Sequence, residues 1–157
     1  MCIRDRMKSF LYIQVDEAIS EGYRTFITGL ARGVDMWGAM YVMSIGIKHP
    51  ELGLKVVAVS PFKEESRRRR GMELWDYNNL VAEADECIFL SEKYHAGCYY
   101  VRNRFMVDHS SMILGLIYDK RSGTGYTINY AKKQGLASKV VDVNSLAGIL
   151  RFDNTGK

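Results

Sequence analysis

Proline is scarce in this chain, with two in 157 residues, and cysteine amounts to three residues, Cys2, Cys87 and Cys98, none close in sequence to another. So few prolines exclude an extended, proline-rich linker. An odd number of scattered thiols excludes a disulfide framework and a cysteine-based zinc site, and suits a reducing compartment. Long hydrophobic runs are also absent: nothing approaches the roughly 20 apolar residues that a membrane span requires. Arg4, Asp5, Arg6 and Lys8 interrupt any apolar leader, so a cytoplasmic location with no membrane partner is the expectation. No group of His, Cys, Asp and Glu has metal-ligand spacing, and no motif calls for a resident cofactor. The charge is only mildly unbalanced, at +4, which suits a small anionic ligand and is too weak to argue for nucleic acid.

What is present is ordinary in composition and ordered in pattern. Hydrophobic residues make up 47% and charged residues 25%, the balance of one soluble globular domain. Short apolar runs at 23–28, 54–59, 86–90, 112–118 and 139–143 lack polar alternation, as expected of strands covered on both faces. Stretches of helical spacing separate them. Such alternation predicts an α/β, Rossmann-like, doubly wound and mainly parallel sheet of about five strands. A sheet of this kind ordinarily opens on a strand, whereas here Met1-Cys-Ile-Arg-Asp-Arg6 leads directly into a helical pattern from Met7. The expectation is therefore a frayed or non-native leader over 1–6 with a first strand missing, one domain over 7–150, and a flexible tail over 151–157.

Ligands of open α/β sheets bind beyond the carboxyl ends of the strands. Two glycine-bearing segments lie there: Gly29-Leu-Ala-Arg-Gly-Val-Asp35 and Ser122-Gly-Thr-Gly-Tyr-Thr127. Each follows an apolar run and opens a helix, where unpaired N–H groups and the positive end of the dipole attract phosphate. Gly29 would allow the turn and Gly33 the close approach, with Ala31 between them and Arg32 pairing with phosphate. Asp35 would either cap the helix or touch ribose or base. Ser122, Gly123, Thr124, Gly125 and Thr127 would supply N–H and hydroxyl donors. Arg102 and Asn103 stand near another helix start on the same rim, and Ser60, Pro61 and Phe62 end a neighbouring strand, where they would shape the base or sugar side. The run Arg67-Arg-Arg-Arg70 reads as a solvated face with local ion pairs, and Trp75 as a packed helix residue.

Phe26-Ile-Thr-Gly-Leu-Ala-Arg-Gly-Val-Asp-Met-Trp37, Val101-Arg-Asn-Arg-Phe-Met-Val-Asp-His-Ser110 and Ser122-Gly-Thr with Tyr130-Ala-Lys resemble the YpsA-like family of the SLOG superfamily, over roughly residues 7–143. The resemblance implies a Rossmann-like domain that binds nucleotides or nucleotide-derived ligands. The first segment is also similar to the glycine motif of DprA-type DNA-processing proteins, and 102–106 to the arginine-bearing helix of the LOG phosphoribohydrolases. Two departures matter: the strand and Gly-His-Arg-Pro-like loop that open YpsA-like proteins have no match, and no carboxylate lies between Ser122 and Lys133 where the LOG enzymes carry a catalytic glutamate. Without that acid the oxocarbenium-like transition state of glycosidic cleavage loses its main stabiliser. Three functions stay open, in descending order: a nucleotide-binding or sensing domain without robust catalysis, a phosphoribohydrolase using Asp35 or Asp119, and a single-stranded DNA binder. A homodimer is a further expectation that the sequence leaves undecided.

Overall fold

The computed structural model describes residues 2–117, 119 and 121–143. The expected tail at 151–157 and the strand end at Tyr118 lie outside the described residues. Strands β1 (Thr25–Thr28), β2 (Lys55–Ser60), β3 (Glu86–Phe89), β4 (Met112–Ile117) and β5 (Ala137–Asp142) alternate with helices α1 (Ile3–Ser20), α2 (Val34–Lys48), α3 (Gly71–Glu83), α4 (Cys98–Asp108) and α5 (Gly123–Lys133). Two 3₁₀ turns, Pro50–Leu52 and Glu65–Arg68, complete the described elements. The mixed α/β, Rossmann-like architecture expected from the alternation is present, and every pairing is parallel. Helix α1 begins at Ile3, four residues ahead of the helical pattern that starts at Met7, and Arg4 and Lys8 lie over the Trp37 ring.

The strands form two ladders, in the orders β1-β2-β3 and β4-β5. The core lies between the first ladder and α1–α3: Val15, Leu30, Met36, Ala39, Val42, Val56, Ala58, Tyr77 and Leu80 form one buried cluster. Burial on both faces explains why these strands read as continuous apolar runs. Helix α1 packs on α2 and on β4, and α4 packs on α5, so both helical layers bridge the two ladders.

The basic run forms the expected solvated face at Arg67, Arg68 and Arg70 but not at Arg69. Arg67 is exposed and pairs with Glu64, but Arg69 is only 6% exposed and forms a two-pronged ion pair with the buried Glu65, at 2.8 and 2.9 Å. Arg69 follows the 3₁₀ turn as its extended C-terminal cap residue. Trp75 differs as well: it is 64% exposed, on the outer side of α3, while Tyr77 and Leu80 supply that helix's buried contacts.

Candidate functional site

Beyond the end of β1 the chain makes a tight reversal, and Leu30 adopts φ 64°, a left-handed conformation unusual for leucine. Such strain persists only where the surroundings hold it. Here they do so from several sides. Asp35 accepts the Gly29 N–H through Oδ2 at 2.9 Å, and Arg102 Nη1 donates to the Gly29 carbonyl at 2.6 Å. Thr28 Oγ1 accepts the Leu30 N–H at 3.2 Å, and Arg69 Nη2 donates to the Leu30 carbonyl at 2.6 Å. A Cβ on Gly29 would stand 2.9 Å from both Arg102 Nε and Asp35 Oδ2. Glycine is needed there because two charged side chains close on the backbone.

Arg102 is 6% exposed. Burial pushes its guanidinium below its ordinary value, and the Asp35 carboxylate opposes that shift. Nε donates to Asn103 Oδ1 at 3.0 Å and Nη1 to Gly29, which leaves Nη2 without a protein partner among the described residues. Arg69 is also held in place: burial works against its charge, but the Glu65 hydrogen bond and charge, with Glu73 beyond, keep its guanidinium above the ordinary value.

Helix α5 starts in a different way. Ser122 is its N-cap, in extended conformation, and its Oγ accepts the Gly125 N–H at 3.2 Å. The N–H groups of Gly123 and Thr124 are among those that a first turn leaves unpaired. With Gly33 capping α2 and Gly97 capping α4, both at positive φ, three helix starts gather at one end of the molecule.

A cavity of about 1100 Å³ opens at that end. Ala31, Arg32, Gly33 and Asp35 line it from the first loop, Arg102 and Asn103 from α4, and Gly123, Thr124 and Thr127 from α5. Trp37, Tyr99 and Tyr100 add aromatic surface that the sequence reading did not single out. Their only signal was position, in the first turns of helices that follow the loops.

Other expected residues lie behind the lining or away from it, and Arg32 and Asp35 within it also make contacts to the protein. Gly29, Ser122 and Gly125 sit behind the lining as turn and cap. Ser60, Pro61 and Phe62 do not reach the cavity: Ser60 is fully buried and donates to the Phe62 carbonyl at 2.8 Å, while Phe62 meets Tyr94 and Tyr99 edge-on beneath Arg68. Arg32 lines the rim but is 72% exposed along its side chain and pairs with Glu73 at 2.9 Å. Asp35 lines the cavity and accepts the Gly29 N–H through Oδ2, and no side-chain hydrogen bond caps α2. Asp119, the other candidate acid, accepts the Arg121 N–H in an exposed turn and does not line the cavity. Among the described residues no group of His, Cys, Asp and Glu could hold a metal ion, and no helix is long and apolar enough to cross a membrane.

The chain's similarities run along most of its length. It is 29% identical over 148 residues to the uncharacterized SPbeta prophage-derived protein YoqJ of Bacillus subtilis, covering 86% of this chain and 85% of that one. It is 26% identical to the UPF0398 protein YpsA of the same organism, covering 84% and 69%, and 25% identical to the UPF0398 protein SH1465 of Staphylococcus haemolyticus, covering 73% and 60%. The chain thus spans about three fifths of the staphylococcal relative's length. The family model YpsA, described as the YspA SLOG family, matches residues 4–146, and the chain belongs to that family.

Proposed function

We propose that this SLOG domain binds a nucleoside phosphate or a related nucleotide-derived molecule at the rim formed by α2, α4 and α5, as a binding or sensing domain without robust catalysis. One observation carries the reading: the free N–H groups at the start of α5, the clamped loop 29–33 and the Arg102 guanidinium line the same opening. Phosphate takes the donors of Gly123 and Thr124, and Arg102 Nη2 neutralises its charge. Trp37, Tyr99 and Tyr100 offer faces for a base. Among the described lining residues Asp35 supplies the one carboxylate, and its Oδ2 already accepts the Gly29 N–H, which disfavours glycosidic cleavage.

Ligand-observed NMR with a panel of nucleoside monophosphates, diphosphates and ADP-ribose tests the reading. Broadened ligand signals without new species are expected. Free base accumulating over hours would make the domain a hydrolase, and silence across the panel would remove the nucleotide reading. Gly123→Pro sharpens the test. Ser122 is extended and a Cβ on Gly123 meets nothing within 4 Å, so proline fits at the first helical position. The fold should keep its stability while one phosphate donor is lost, weakening binding by about 3–10-fold.

A further inference from the structure

Arg32 stands at the opening of the cavity, yet its charge is met by a carboxylate from outside the lining. Its Nε lies 2.9 Å from Glu73 Oε2, and Glu73, in the first turn of α3, does not line the cavity. The same carboxylate is anchored from the other side. Arg69 Nη1 donates to Glu73 Oε1 at 2.8 Å, and Arg69 is itself fixed by Glu65 and the Leu30 carbonyl. Glu73 therefore bridges a buried guanidinium and an exposed one. An exposed ion pair ordinarily gains little, because two long side chains must be ordered together. Here Arg69 has already ordered the carboxylate, and the positive end of α3 favours its charge. Arg32, Arg69, Glu65 and Glu73 form a network of two cations and two anions, so the basic turn adds no net charge to the opening.

We propose that Glu73 sets the ligand selectivity of this opening. It keeps the Arg32 guanidinium from anions, so that a compact phosphate is admitted while a phosphodiester strand meets a neutralised rim. The inference rests on the reading of the opening as a phosphate site. Selectivity is a difference of affinities, and it rises when attraction for the wrong partner is removed. A compact phosphate enters the opening and takes short-range donors, the Arg102 Nη2 and the first N–H groups of α5. A strand lies across the mouth and depends on exposed cations, each of which releases a counterion when it meets a phosphate. Arg32, with a side chain 72% exposed, is the lining cation placed for that contact, and Glu73 removes it. Glu73 acts through Arg32 and touches no ligand, which makes it a positioning residue.

The test compares two probes, ADP and a short single-stranded oligo-dT, by isothermal titration. Glu73→Gln keeps an oxygen for Arg69 and leaves Glu65 in place, so the fold should persist by circular dichroism. In that variant the oligonucleotide should bind about 3–10-fold tighter, and the slope of log affinity against log salt should steepen by about 0.7, the mark of one further phosphate contact on a single strand. ADP should gain less. Adding Arg32→Ala should abolish the oligonucleotide gain, whereas Arg32→Ala in the otherwise native chain should change ADP binding by less than about 2-fold, a coupling that independent residues lack. An unchanged oligonucleotide affinity and slope in Glu73→Gln would overturn the proposal. So would a gain that survives Arg32→Ala, an equal gain for ADP, or a larger loss of ADP binding in the single Arg32→Ala variant, which folds without disturbing Arg69. If ADP is silent with every variant while the oligonucleotide gain still requires Arg32, the nucleotide reading falls and the restraint of Arg32 by Glu73 stands.

Discussion

Arg102 illustrates how a side chain can be correctly noticed and still act at one remove from its expected partner. Its expected place near a helix start, against the dipole, pointed to an anionic partner, and it is the fifth residue of α4. In the fold the charge that most supports it is Asp35, and its shortest hydrogen bond, 2.6 Å, goes to the Gly29 carbonyl. Arg102→Ala should therefore cost about 2–4 kcal/mol of stability, because Gly29 loses its donor and Asp35 its counter-charge, and chemical denaturation measures this. Gly29→Ala should damage the same clamp from the other side, since its methyl would stand 2.9 Å from Arg102 Nε and Asp35 Oδ2. The two changes share one set of contacts, so their costs should be less than additive in a double-mutant cycle. Arg69 is a sharper case. Arg69→Met leaves Glu65 buried and unpaired and should cost about 3–5 kcal/mol, whereas adding Glu65→Gln should recover part of the loss. The sequence run of four arginines hid this role, because one inward-facing member of a charged run has no signature of its own.

At the scale of elements, period and punctuation located each helix and strand, but not the interactions that hold neighbours together. The apolar run 112–118 announced β4, and the glycine-bearing segment from Ser122 announced the start of α5, because both signals are local. Helices α1 and α2 are joined by contacts 25 or more residues apart in sequence: Tyr41 donates to Asp16 Oδ1 at 2.8 Å and stacks on Tyr12 with ring centroids 4.0 Å apart. Neither could be read from spacing. Burial comes first, and the hydrogen bond to Asp16 adds to it, in raising the Tyr41 hydroxyl from 10.0 to about 12. A raised acid pKa means that the folded state holds the proton more tightly than the unfolded chain. That stabilisation is complete below pH 10 and is lost as pH rises toward 12. Tyr41→Phe keeps the stack and removes the titration. It should cost about 0.5–1 kcal/mol near neutrality and flatten the alkaline fall in stability, followed as Tm against pH.

At the scale of the whole molecule, alternation predicted a parallel α/β sheet, and the order of motifs predicted a family, yet neither could show that the five strands fall into two ladders. That division is a property of which edges meet, and only the assembled fold displays it. It also gives the cavity two parts: a rim with helix starts and guanidinium, and below it the facing stretches of β1 and β4. The charge distribution separates two classes of ligand in the same way. A single-stranded polyanion needs a continuous basic groove, and its affinity falls steeply with salt as counterions are released. In this molecule Arg69 is spent inside the core and Arg67 on Glu64, while Arg32 at the rim already pairs with Glu73. The remaining attraction for a phosphate is short-ranged, through a few N–H donors and one half-free guanidinium. Binding of a nucleoside phosphate should accordingly weaken by no more than about 5-fold between roughly 50 and 200 mM salt, a range across which six to ten phosphate contacts would lose about 10³-fold or more. Isothermal titration at the two salt concentrations, with a nucleoside diphosphate and with a single-stranded oligonucleotide, measures the difference. A steep slope with the oligonucleotide, and tighter binding of it than of the diphosphate, would move the site from the rim to the exposed arginines and aromatics around Arg68 and Trp75.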